Sequence, residues 1–369
     1  MAAKPLYRVG LIGCGRKGHG HARGYLGNPR TELVAAADPD SSNRQIFLDR
    51  FKVAGYAEYA DLLARGDIDI AAPILPVQPN PQVVIDCARA GVKAIYCEKP
   101  MAASLEEADA MVAECASRGI HLAAGDAYRT MPQHWKVKAL IDAGELGAVQ
   151  SINLYQSTSE ISGGGCQGLS VLRLFADDAE VDWATGWCQR DPWDDEDQNM
   201  GGHFRFTTGV DAFIHSRRTA LEGLEVCCEN GVYHTYWGGG TLWRGEANQG
   251  LEADREFFAE YGGPSGWMEP RGRRQRAGVQ SVVEALDGDI AEPRCSGANM
   301  AKVLEMAIGL RQSHRQDFAP VRFPVEDRGL KIVPYKSRYL NKKETLGETG
   351  YASQIETAAA QPIGGAQVE

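Results

Sequence analysis

Gly13-Cys-Gly15-Arg-Lys-Gly18 follows an apolar run, Tyr7 to Gly13, and opens a helical stretch. In that setting the first glycine permits a tight turn, the second lets the backbone approach a pyrophosphate, and the third lets the helix pack closely on the strand. The helix N-terminus then faces the anion. Asp38 stands 20 residues past Gly18, at the end of the next apolar run, Leu33 to Asp38. A carboxylate there accepts hydrogen bonds from ribose hydroxyls and repels a 2′-phosphate. These residue types at this spacing predict a dinucleotide site that favours NAD. Arg16 and Lys17 sit inside the motif, and Arg44 is near enough in sequence to leave NADP open.

A second chemical group follows the run Lys93 to Cys97, where Glu98-Lys99-Pro100 closes a strand-like segment. A lysine at the carboxyl end of a parallel strand lies on the edge where doubly wound folds bind ligands. Its ammonium can hydrogen-bond a hydroxyl or relay the proton that accompanies hydride loss. Pro100 stiffens the turn beyond it. His19 and His21, within the glycine turn, are expected to touch phosphate or solvent rather than a metal, and no metal site is predicted. Asp191-Pro-Trp-Asp-Asp-Glu-Asp197 reads as a solvated acidic loop.

These groups need a scaffold, and the pattern supplies one. Strand-like runs at Tyr7–Gly13, Leu33–Asp38, Ile68–Leu75 and Lys93–Cys97 alternate with helical stretches at 42–51, 81–90 and 104–118. The last helix opens on Ser104-Leu-Glu-Glu107, a capping box. Such alternation predicts a doubly wound parallel sheet as far as about Gly125. Beyond a helix at Met131–Ala143, strand candidates crowd together at Val149–Tyr155, Val181–Trp187, His203–Thr207, Val210–Ser216 and Leu224–Glu229, which predicts an open, mainly antiparallel mixed sheet. Helices follow near Val279–Leu286 and Asn299–Gln312. The expected division is a dinucleotide domain over 1–125, a substrate and oligomerisation domain over 126–335, and a polar tail over 336–369 that wraps a neighbour or stays disordered.

Composition narrows the class. With 369 residues and a formal charge of −10, the chain is a poor match for a polyphosphate backbone, which excludes general nucleic-acid binding. No apolar run approaches the ~18 residues of a membrane span, and the first residues lack an apolar signal core. Nine scattered cysteines without a Cys-x-x-Cys pair read as buried thiols of a reducing, cytoplasmic compartment.

Glu98-Lys99-Pro100, together with Val9 to Gly15, Val34 to Asp40, Leu75-Pro76, Ala90-Gly91 and Ala139 to Gly147, resembles the glucose-fructose oxidoreductase/inositol dehydrogenase (Gfo/Idh/MocA) family in order and spacing. The resemblance implies a Rossmann domain followed by an α/β domain on an open sheet. It implies an NAD(P)-dependent oxidoreductase acting on a sugar, sugar derivative or cyclitol, with dimers or tetramers formed through the sheet. It places cofactor contacts on Leu75, Pro76, Asn80, Glu98, Lys99 and Arg129. One departure matters. The family's Asp-x-x-x-His pair falls on Gly163 and Gln167, and a glutamine orients a hydroxyl but cannot take its proton. Lys99 then acts alone, or Tyr128, Glu160 or His203 substitutes. Two other activities suit the altered set. One is redox-neutral sugar elimination or glycoside cleavage with transiently reduced, bound NAD; the other is non-catalytic NAD binding.

Overall fold

The computed structural model describes residues 4–125, 128–156, 159–217, 219–236, 239–246, 249–262, 273–339 and 343–361. They form two compact units, Met1–Ala127 with Pro270–Ala301 and Pro334–Glu369, and Tyr128–Glu269 with Lys302–Val333.

In the first unit, β1 (Tyr7–Ile12), β2 (Thr31–Ala37), β3 (Ala54–Tyr56), β4 (Ile70–Pro73), β5 (Ala94–Cys97) and β6 (His121–Ala124) make a sheet in the order β3-β2-β1-β4-β5-β6. Every pairing is parallel. A strand covered on both faces must be apolar throughout, and β4 and β5 are buried at every position. The crossovers are α1 (Arg16–Leu26), α2 (Ser41–Phe51), α3 (Tyr59–Leu63), α4 (Asn80–Arg89) and α5 (Leu105–Ser117). The capping box at Ser104 and Glu107 forms as expected. Chain order reverses between β1 and β4, the switch point where such sheets take ligands.

The second unit opens on α6 (Pro132–Asp142) and contains a nine-stranded sheet, ordered β14-β13-β12-β11-β7-β10-β9-β8-β15. Its strands are β7 (Val149–Tyr155), β8 (Val181–Cys188), β9 (Met200–Phe206), β10 (Asp211–His215), β11 (Gly223–Cys228), β12 (Gly231–Thr235), β13 (Gly240–Arg244), β14 (Glu252–Ala253) and β15 (Val321–Arg322). Within this sheet only β7 and β10 pair parallel among the described strands, so it is mixed and mainly antiparallel. Helix α7 (Cys166–Phe175) packs on the face that buries Leu154: a Cβ on Gly168 would lie 2.9 Å from that side chain. α8 (Arg255–Tyr261) follows β14.

The expected three-way division differs from this arrangement, because the first unit is not finished at residue 125. α9 (Arg273–Leu286) packs on α1, where the bare Cα of Gly24 lets Gln275 approach; a Cβ there would meet that side chain at 2.8 Å. Val279, Val282 and Val283 of α9 join Tyr25 and Tyr96 in one core. α10 (Gly297–Arg315) follows. The segment expected as a loose tail is helical over α11 (Lys336–Tyr339) and α12 (Lys343–Ala359), and α12 lies against α1 and α2. Tyr351, Ile355 and Ala358 are buried on one side of α12, a pattern that composition alone obscures.

Candidate cofactor and catalytic site

Backbone geometry accounts for the glycine turn. Gly13 has φ +104°, and a Cβ there would sit 2.4 Å from Ile74 O. A Cβ on Gly18 would lie 2.1 Å from Gly13 O, so the first turn of α1 closes directly onto the loop. Gly15 is the N-cap of α1, and the exposed Arg16 and Lys17 occupy its first turn. The Asp38 carboxylate accepts Cys14 N–H and Asp40 N–H, each at 2.8 Å, which ties the turn to the end of β2. Burial raises its pKa against the pull of those two N–H groups. Arg44 Nη1 donates to Asp38 O at 2.5 Å. A glycine turn, a helix N-terminus and a buried carboxylate at the switch point fit a dinucleotide. Leu75 and Pro76 are half-buried in the loop after β4, and Asn80 Nδ2 donates to Met101 O at 2.8 Å, pinning the segment after Lys99.

His19 and His21 face inward, not toward phosphate or solvent. His19 packs between Phe47 and Phe51, and burial pushes its pKa down to about 4. His21 Nε2 meets Glu98 Oε1 at 2.9 Å. Burial favours neutral Glu98, yet Lys17 and the His21 bond outweigh it and hold the carboxyl below the usual range. Its other oxygen accepts Lys99 N–H at 3.2 Å. Glu98 therefore joins α1 to the end of β5 and fixes the backbone that carries Lys99. Helical spacing puts His21 one turn beyond Lys17, and that was the available signal.

In the second unit, Glu160 precedes a wide turn over Ile161–Gly165, closed by Gly165 N–H donating to Glu160 O at 2.9 Å. A Cβ on Gly163 would lie 2.8 Å from the Glu160 carboxyl carbon, so this carboxylate fills the space a side chain at 163 would need. Gln167 stands in the first turn of α7. Asp197 is fully buried and accepts Ile161 N–H at 3.0 Å and Ser162 N–H at 2.7 Å. The end of the acidic run is thus a clamp on this turn, not solvated loop; backbone donors can satisfy a buried carboxylate. Tyr128 is buried. The buried Arg129 donates to Ser170 O at 2.6 Å and pairs with Asp178. His203 bonds Asp211 at 2.7 Å and stacks on Phe213, on the sheet face opposite α7. His203 and Gln167 are not brought together.

Two residues passed over in the sequence, Asn43 and Tyr351, meet beside the glycine turn, with Asn43 Nδ2 donating to Tyr351 Oη at 3.0 Å. The only hint was the apolar pair Tyr351 and Ile355 at helical spacing.

The model of an oxidoreductase family with NAD-binding Rossmann fold, GFO_IDH_MocA, matches residues 7–126. The rhizopine catabolism protein MocA of Rhizobium meliloti is 31% identical over 151 residues, which are 41% of this chain and 47% of that protein. Inositol 2-dehydrogenase of Rhizobium meliloti (strain 1021) is 31% identical over 147 residues, 40% of this chain and 44% of that protein. The chain thus spans less than half the length of these curated relatives. The WlbA dehydrogenase of Bordetella pertussis, solved with NADH and UDP-GlcNAcA, shares the fold with a TM-score of 0.73 at 19% identity, over 88% of this chain and 100% of that one. Residues 7–126 thus match the NAD-binding Rossmann domain of the Gfo/Idh/MocA oxidoreductase family, and beyond them the likeness to WlbA is one of fold.

Proposed function

We propose that this protein is an NAD-dependent oxidoreductase that moves hydride between nicotinamide and the carbinol carbon of a sugar, sugar derivative or cyclitol. One observation carries the reading: the Gly13–Gly18 turn, the Asp38 carboxylate and the Glu98-Lys99 end of β5 share the carboxyl edge of one parallel sheet. The inositol 2-dehydrogenase and the sugar nucleotide bound to WlbA support the substrate class. NAD, when bound, supplies the hydride acceptor.

Oxidising a hydroxyl-bearing carbon also releases the hydroxyl proton. We assign that proton to Lys99, whose ammonium can hydrogen-bond the substrate oxygen and whose neutral amine can accept from it. Glu98 is the positioning residue, gripped by His21 and bonded to the Lys99 N–H. Gln167 orients a hydroxyl, and Tyr128 and Glu160 are the reserve acid–base groups. Asp38 sets the preference for NAD over NADP. We take the protein to be cytoplasmic and homo-oligomeric. Its thiols suit a reducing compartment, and among the described residues no helix is long and apolar enough to cross a membrane.

Lys99→Ala is expected to lower turnover on a responsive polyol by roughly 10²–10⁴-fold, while NAD affinity by calorimetry stays nearly unchanged. Lys99→Arg should fare almost as badly, because a guanidinium cannot accept a proton. Dehydrogenation that survives the loss of Lys99 moves the proton to Tyr128 or Glu160. NAD binding without turnover on any sugar or cyclitol marks a sensor instead.

A further inference from the structure

After residue 333 the chain returns to the first unit. Val77 N–H donates to Arg338 O at 3.1 Å and Gln78 N–H to Tyr339 O at 3.2 Å, so this segment first lies against the loop after β4. It then reaches the other side of the switch point. Tyr351, Ile355 and Ala358 are buried residues of α12, spaced four and three apart on one helical face. Arg50 donates to Ala358 O at 2.5 Å and also to Gln361 O, securing the far end.

Tyr351 stands where a dinucleotide would. A Cβ built on Gly15 would lie 3.0 Å from Tyr351 Oη, with Ile355 Cδ1 at 4.0 Å. A bare Cα at Gly15 is what lets a pyrophosphate approach, and here the phenol oxygen takes that approach. The same oxygen accepts from Asn43, near the start of α2 and just past Asp38. A helix that only walled a bound cofactor would stand off by the thickness of a ribose or phosphate. This hydroxyl instead lies 3.0 Å from where a Gly15 Cβ would stand, within the space a phosphate would need.

We propose that α12 is a latch over the ribose–phosphate end of the dinucleotide cleft, with Tyr351 as an internal competitor that withdraws before NAD seats on Gly15. The proposal rests on the reading of Gly13 to Asp38 as an NAD site. Gly347 supplies the hinge. It interrupts α12 with φ +67° and ψ 169°, a conformation that other residues rarely adopt, and open space surrounds its Cβ position. Withdrawal then needs only the loss of one apolar stripe and a few hydrogen bonds. The apparent affinity for NAD falls by the fraction of molecules whose latch is open.

Hydrogen–deuterium exchange and calorimetry with NAD⁺ on the full-length protein test the latch, comparing wild type, Tyr351→Phe and Tyr351→Ala. NAD⁺ is expected to slow exchange over residues 13–18 and to speed it over 350–358. Tyr351→Ala should bind NAD⁺ roughly 5–10-fold more tightly by opening the latch, with the isosteric Tyr351→Phe between it and wild type. Slower exchange over 350–358 with NAD⁺, or weaker binding in the variants, would make α12 a wall of the site and overturn the latch. Unchanged affinity and exchange in α12, with residues 13–18 still protected, also overturns it while leaving the NAD reading intact. Absence of both heat and protection at 13–18 in all three proteins removes the NAD site itself, and the latch with it.

Discussion

Asp38 does two things with one carboxylate. Its oxygens accept the Cys14 and Asp40 N–H groups, so the charge we assign to the ribose also holds the glycine turn in place. Asp38→Asn keeps the shape, but one of its two terminal groups becomes a donor facing a backbone donor. Leaving a buried N–H unsatisfied costs about 1–3 kcal/mol, and the repulsion of a 2′-phosphate disappears as well. NAD affinity should therefore fall about tenfold or more, since 1.4 kcal/mol is one decade, while NADP loses less. Parallel titrations with the two cofactors measure this, and an unchanged affinity ratio would refute the assignment. This part of the site was legible in the sequence because each role is local: a turn, a cap and a strand end. Tyr351 was not legible, since its partner Asn43 lies 308 residues away and no local pattern fixes which helix a polar tail joins.

At the scale of elements, His134 ties α6 to β12. It is fully buried, its Nδ1 lies 2.9 Å from Tyr233 Oη, and its ring meets Phe175 of α7 edge-on. Burial, helped by Arg129, pushes its pKa from 6.5 down to about 3. Below pH 6.5 the unfolded chain takes up a proton that the folded chain refuses. Stability is thus complete above that value and erodes as pH falls toward the folded pKa, by about 1.4 kcal/mol per pH unit for each such group. His19 adds the same dependence in the first unit, down to about 4. His134→Gln should lower stability at neutral pH yet flatten its fall between neutrality and mild acid. Denaturant midpoints measured across that range check it; an unaltered slope means that His134 titrates normally. The strands were readable to within a few residues wherever one face is buried, as in β7. The short β12 and β13 were not, because glycines mask their alternation. Burial of His134 was equally hidden, since a histidine on a helix reads the same against solvent or core.

For the molecule as a whole, the exposed face of the nine-stranded sheet is the feature that asks for a partner. His203 stacks on Phe213 at 4.5 Å, Tyr155 on His215 at 4.8 Å, and Trp187 and Trp243 remain 46% and 40% exposed on the same face. Exposed aromatic rings clustered on one sheet face mark an association surface, and a second copy covers it most simply. Sedimentation should give a dimer or tetramer, and Phe213→Glu should shift it toward the 40.1 kDa chain. A wild-type protein that sediments only at the single-chain mass would count against the sheet face as an interface.

The interleaving of the two units has a consequence for how the protein is made. Val279, Val282 and Val283 of α9 complete the core around Tyr25 and Tyr96, so the first 127 residues emerge from the ribosome with one side of α1 bare. At ~5–20 residues per second, that apolar surface waits on the order of 10 s before residues 273–286 are synthesised. Throughout that interval the whole second unit up to residue 269 is being added between the two parts. The dinucleotide fold is therefore completed late in translation, and its half-built form is a natural client for a chaperone that shields apolar helix faces.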